Sequence, residues 1–299
     1  MENINTEKHK KMDFKSWSKL RKSTFIVGII VLAICVLTST LSWVNISINV
    51  NRMITKFDEE NPGILVKMQK AHIAPSFLAY IWKETQTFTY ISNYFLAISM
   101  ILFGYFYHNK RILKTFFLSV VYISITFAIY WTLIFPKIFG SEYGSFRLAL
   151  STIVHAINPL IGIVILILNR KNITLDKKVM YMSNLGVIGY LLFAFGTFWI
   201  GLSYSQNYKN DVANKLNQYV DSDIVVYGFL NFIEPFFYRG GNIAIVITLD
   251  LLMIIIAVFV PIGLSYFWKV VLRIKIEKNN EKDSLLEAKS DEKIAENIN

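Results

Sequence analysis

One cysteine, six prolines and four histidines are spread over 299 residues, and only 17% of the residues are charged. A single cysteine excludes a disulfide framework and any cysteine-built zinc or iron–sulfur centre. Soluble domains carry roughly a quarter charged residues, so the charge deficit excludes an ordinary soluble enzyme. The 54% apolar content excludes a disordered chain. The existing charges are clumped at the two ends and in short breaks, which does not fit a coiled coil. No metal-ligand set and no cofactor-binding pattern is read from the chain. Mean hydropathy is +0.43.

What the chain has instead is long apolar runs. Crossing about 30 Å of hydrocarbon takes about 20 mostly apolar residues in a helix, because lipid offers the backbone no hydrogen-bond partner. Six stretches qualify: Thr24–Val44, Thr87–Tyr107, Ile112–Phe135, Leu148–Leu168, Val179–Tyr204 and Ile243–Trp268. The expected fold is all-α, a polytopic integral membrane protein built as a bundle of six transmembrane helices. Residues 24–268 form the membrane domain, 1–23 a basic tail and 269–299 a charged, disordered tail. The first run is too long for a signal-peptide core and no small-x-small site closes it. Leu32-Ala33-Ile34-Cys35 looks like a lipoprotein box, but Ile34 stands where a small residue is wanted. Cys35 is read as a small buried apolar side chain.

Cations orient the bundle. The two tails and the second and fourth connections hold 21 of the 31 Lys and Arg residues. An even span count puts both tails on one side, and they share the basic one. The expectation is a multi-pass protein of the cell membrane with both termini cytoplasmic. The net charge of +10 then reports topology and contact with anionic headgroups, not nucleic-acid binding. On the other side the first connection, about Asn45–Gln86, carries Asp58, Glu59 and Glu60. It also holds the apolar piece Ala71–Trp82, too short to span and read as interfacial. The fifth connection holds the aromatic stretch Val225–Asn242, read as a cap or an anchor. Gly186, Gly189 and Gly196 in the fifth run suggest close helix packing.

Polar groups inside apolar runs are expensive, so they mark function or pairing. The second run opens with Thr89, Ser92 and Asn93 on one helix face. The fourth contains His155-Ala156-Ile157-Asn158-Pro159, with the one histidine inside a run and a proline that frees the carbonyl four residues back. The sixth contains Asp250, the one acid well inside any run. At about 1.5 Å per residue these groups share the outer half of the layer, Thr89 within a turn of the boundary and His155 and Asp250 about 10 Å in. They can pair if their helices adjoin. Each also has a plain reading: Thr89 bonding back to its own helix, Asn93 and Asn158 holding helices together, Asp250 a protonated structural acid.

Thr-x-x-Ser-Asn (Thr89–Asn93), His-x-x-x-Pro (His155–Pro159) and Tyr-x-Phe-Leu-Asn (Tyr227–Asn231) together resemble the bacterial Pr-six-Pr type membrane proteins, relatives of the eukaryotic androgen-induced threonine hydrolases. The resemblance implies an intramembrane lipid ester hydrolase or acyl transferase. Thr89 would be the nucleophile and His155 the base. The eukaryotic relatives lack the Ser-Asn pair, and Asp250 lies outside the family pattern. On chemical grounds Asp250 is expected to orient the imidazole and Asn93 to donate to the oxyanion; Ser92 and Asn158 are supporting residues. The partner would be a membrane lipid or a lipophilic small molecule. Two other readings stay open: a six-span binding or transport protein of the importer substrate-capture type, and a structural membrane protein without ligand.

Overall fold

The computed structural model describes residues 14–73, 76–138, 144–211, 213, 214 and 216–277. Lys8, Lys10 and Lys11 of the basic tail, Ala74 and Pro75 of the short apolar piece, Lys215 and the charged tail beyond Glu277 lie outside the described residues. Six helical segments are long and apolar enough to cross a membrane: α1 (Lys19–Glu60), α2 (Phe88–Tyr105), α3 (Lys110–Ile134), α4 (Ser145–Asn172), α5 (Lys177–Ser205) and α6 (Ile243–Val271). They match the six apolar runs in number and order.

The ends differ. α1 runs 42 residues, 16 beyond Val44. Apolar content marks only the part of a helix that sits among apolar neighbours. The polar stretch that follows contains neither glycine nor proline, so nothing stops the helix before Asn61. Ser18 starts it, its hydroxyl accepting from the Arg21 amide. The chain then turns at Gly63, whose φ of 80° lies in the left-handed region that favours glycine. Two short helices follow, Ile64–Lys70 and Phe77–Thr85. The second contains the Tyr80–Trp82 part of the piece read as interfacial, and Trp82 is exposed.

The core lies between α2 and α3, where Leu96, Met100, Phe103, Phe116, Phe117 and Val120 are fully buried. α1 packs closely on α2. A Cβ on Gly28 would stand 2.8 Å from the Ile101 nitrogen, and one on Gly104 would stand 2.6 Å from the Phe25 Cβ. Close packing through glycine therefore occurs here and, of the three glycines the sequence suggested, at Gly186 alone, where a Cβ would stand 2.7 Å from the Tyr122 ring. Gly189 and Gly196 face open space. Arg21 closes the far end of α2, donating to the Gly104 and Tyr105 carbonyls at 2.7 and 2.8 Å. α5 and α6 pack on each other and leave most of their apolar surface uncovered; Ile200 is 84% exposed.

At the same end as Arg21 the chain adds two short strands, β1 (Thr174–Leu175) and β2 (Lys275–Ile276), paired in parallel. Lys114 reaches both Asp176 and Glu277 at 2.8 Å. The residues just after α6 are thus folded back onto the bundle.

Candidate functional site

Both α3 and α4 contain a π turn, Tyr130–Ile134 and Ile153–Ile157. Each is followed two residues later by a proline, Pro136 and Pro159. A proline has no N–H to return to the preceding turn, and π turns of this kind gather at functional sites. In α4 the Asn158 amide bonds to the Ile153 carbonyl, so on the same spacing Pro159 would have met the Val154 carbonyl. The Asn93 side chain of α2 donates to that carbonyl instead, at 2.9 Å. A polar residue of one helix thus completes the hydrogen bonding of a break in another.

The break sets the position of His155. Its ring stacks on Tyr130 of the other π turn, centroids 4.5 Å apart and 14° between planes. Its Nδ1 lies 2.8 Å from the Ser151 carbonyl. A carbonyl only accepts, so in the neutral ring Nδ1 carries the proton and Nε2 is bare. Nε2 lies 3.1 Å from the Thr89 hydroxyl. The Tyr227 hydroxyl lies 3.2 Å from the same Thr89 oxygen and 3.2 Å from the Thr89 amide nitrogen.

These distances order the protons in one direction. Thr89 is the second residue of α2, and its N–H has no partner within the helix; it donates to the Tyr227 oxygen. The Thr89 hydroxyl donates to the bare Nε2, so the Tyr227 hydroxyl donates to the Thr89 oxygen. Nδ1 donates to Ser151. Burial pushes the Tyr227 phenol above its ordinary range, which keeps it a neutral donor. The result is a hydroxyl already aimed at a base and held by a second donor.

The remaining sequence candidates take supporting positions or none. Ser92 donates to the Thr89 carbonyl at 3.0 Å and meets the Thr126 hydroxyl at 2.8 Å. Asn93 does not face the site: its amide nitrogen is spent on the Thr89 carbonyl at 2.8 Å and on Val154. Its oxygen accepts from Asn158 at 2.8 Å. The expectation that Asn93 donates to an oxyanion is corrected accordingly, since both amide protons are committed to backbone. Asn158 also points its amide at Cys35, 3.7 Å away, and Cys35 is fully buried as expected. Asp250 does not orient His155. Equal depth along two helices does not make them adjacent, and the Ser151 carbonyl occupies the position meant for the acid. One Asp250 oxygen is buried with no hydrogen bond.

Two cavities, each of about 170 Å³, meet at this cluster. One is almost entirely apolar, walled by α3, α5 and α6 and closed by Phe229, Leu230 and Phe236 of the last connection. The other is walled by Ser42, Asn45, Glu84, Thr87, Arg147 and Ser151. Thr89, Ile134, His155 and Tyr227 line both. Sequence reading missed Tyr130, Ser151 and Tyr227 as site residues. Only Tyr227 carried a signal, as the first residue of a quoted motif. Among the described residues no group of three or more His, Cys, Asp or Glu side chains is placed to hold a metal ion. No family model matches the chain, and neither a curated protein nor a solved structure matches it.

Proposed function

We propose that this is a six-span protein of the cell membrane, both termini cytoplasmic, that cleaves or transfers the acyl group of lipid esters through Thr89 and His155. The observation that carries the reading is the 3.1 Å contact between the Thr89 hydroxyl and the bare Nε2 of His155. A threonine hydroxyl is a weak nucleophile and needs a positioned base within about 2.6–3.2 Å. The uncovered apolar faces of α5 and α6 support membrane insertion, and the cation distribution supports the orientation.

In this reading the Thr89 oxygen attacks the ester carbonyl while Nε2 takes its proton. The Tyr227 hydroxyl turns from Thr89 to the carbonyl oxygen, where negative charge develops. The bond to the alcohol breaks, and the alcohol leaves with the proton from Nε2. An acyl group is now on Thr89. Water or a second alcohol gives its proton to Nε2 and attacks the acyl carbon. The bond to the Thr89 oxygen breaks, Thr89 takes the proton back from Nε2, and the free acid or new ester leaves. Water makes the protein a hydrolase and an alcohol makes it a transferase. The Ser151 carbonyl does the orienting task an acid performs in hydrolytic triads.

The test is turnover of a long-chain fluorogenic ester by the purified protein in detergent. Thr89→Ala and His155→Ala each reduce kcat by about 10²–10⁴-fold, with elution volume and melting temperature held near wild type. Full turnover by Thr89→Ala overturns the assignment. The apolar cavity beneath the aromatic connection favours a second reading, a binding protein for a lipophilic solute. In that case Thr89→Ala retains binding and neither protein turns the solute over.

A further inference from the structure

We infer that the ester is held in one direction, its acyl chain in the apolar cavity and a net-neutral, hydrogen-bonding alcohol such as glycerol in the polar one. The inference rests on the reading of Thr89 as nucleophile. Because Thr89, His155 and Tyr227 line both cavities, a carbonyl carbon at Thr89 has one arm in each.

The cavities differ in chemistry and in depth. The polar wall is drawn from the cap of α2 (Thr87) and the first two turns of α4 (Arg147, Ser151), with Ser42 and Asn45 of α1 and Glu84 beside them. The apolar wall reaches Met253 and Pro261. These lie ten and eighteen residues into α6, about 15 and 27 Å from its start. A hydrocarbon arm placed among Ile129, Leu133, Ile256 and Val260 keeps no hydrogen bond to lose. A hydroxylated arm placed there forfeits its partners and is rejected. In the other cavity the polar groups beyond the Thr89 cluster are the hydroxyls of Ser42, Thr87 and Ser151, the Tyr90 phenol, an amide, one carboxylate and one guanidinium, with Ser42 donating to Glu84 at 3.1 Å. One charge of each sign leaves no net field to select an ionic alcohol. Hydroxyl and amide partners select one that both donates and accepts. An alcohol with a long alkyl chain takes water from the Asn45 amide and from the Glu84 and Arg147 side chains and offers them no hydrogen bond in return, and that is where discrimination is strongest.

Direction also sets the order of events. The alcohol leaves through the polar cavity, and the incoming water or second alcohol uses the same path while the acyl group stays buried on Thr89.

Three esters of one long acyl chain test this: a monoacylglycerol, its glycerol phosphate counterpart and a wax ester. The purified protein is expected to favour the monoacylglycerol in kcat/KM by about tenfold or more over each of the others. Asn45→Leu is expected to narrow that ratio mainly through KM, and Ile129→Trp to shift the preferred acyl chain to shorter lengths. A monoacylglycerol carrying a diazirine at the chain end, bound to Thr89→Ala, is expected to label residues 253–261. Equal turnover of the wax ester, preference for the phosphate, labelling on residues 42–45 or 147–151, or no labelling overturns the inference. Labelling at 253–261 with no Thr89-dependent turnover leaves the orientation standing and sinks the hydrolase reading instead.

Discussion

A single backbone carbonyl fixes the chemistry of the candidate site at the residue scale. The Ser151 oxygen determines which ring nitrogen of His155 carries the proton, and through it the direction of every hydrogen bond from there to Tyr227. Tyr227 is the member whose role is open to a clean test. Its ring stacks on Phe229, 5.1 Å between centroids, so Tyr227→Phe keeps the packing and removes only the hydroxyl. If that hydroxyl meets the developing oxyanion, kcat falls by about 10²–10³-fold with little change in KM. A change confined to KM, or none, makes it a positioning group. Thr89 and His155 were legible in the sequence because a hydroxyl and an imidazole stand out in an apolar run. Asn93 stood out equally and was given the wrong task, since spacing places a side chain on a face without saying which neighbour it meets. Asp250 shows the same limit: depth follows from counting residues, and adjacency does not. Ser151 acts through its backbone, which no side-chain pattern reveals.

At the scale of elements, the site depends on two helices that are not regular. A regular α-helix through residues 153–157 would turn His155 relative to Tyr130 and Thr89. Pro159 and Asn93 hold the break open together, the one by withholding an N–H and the other by supplying a replacement to the Val154 carbonyl. Pro159→Ala restores a backbone donor that competes with Asn93 and allows the helix to tighten. The protein is expected to melt at the same or a higher temperature, because proline inside a helix costs about 3 kcal/mol. Ester turnover is expected to fall at least tenfold, in the direction opposite to stability. A parallel rise in both would show that the π turn does not position His155. Pro159 was legible in the sequence, but regular helical spacing points to the His155 carbonyl as the one it frees. The π turn makes it that of Val154, one residue earlier. Apolar length announced the six helices in order. It did not announce where α1 stops, because hydropathy is blind to the helical residues beyond Val44. Of the glycines that bring helices together the sequence showed Gly186 but not Gly28 or Gly104, which lie in runs whose packing partner could not be named beforehand.

At the scale of the whole molecule, the end of the bundle opposite the site is drawn together by charge and a fragment of sheet. Glu277 bonds through its amide to the Leu175 carbonyl at 2.7 Å. Its carboxylate meets Lys110 and Lys114, each at 2.8 Å, and the two hold it down to about 2 from the usual carboxylate range. A carboxyl with a depressed folded-state pKa contributes stability that is complete above its ordinary value of 4.5. That contribution fades as pH falls from there toward 2. The ion pairs are partly exposed, so each is worth little and salt weakens it. The buried side chains of Ile173, Leu175, Leu272 and Ile274 carry the larger share of what keeps this end closed. Glu277→Gln is therefore expected to lower the melting temperature modestly at pH 7 and by a similar amount at pH 5. The gap between the two proteins narrows as pH is taken from 4.5 toward 3, and at neutral pH it also narrows in 0.5 M salt. A gap that persists unchanged at pH 3 would assign the effect to the lost shape of the hydrogen bonds and not to the charge. Esterase activity is expected to be equal in both proteins at neutral pH, because the clasp and the Thr89 cluster sit at opposite ends of α3 and share no residue.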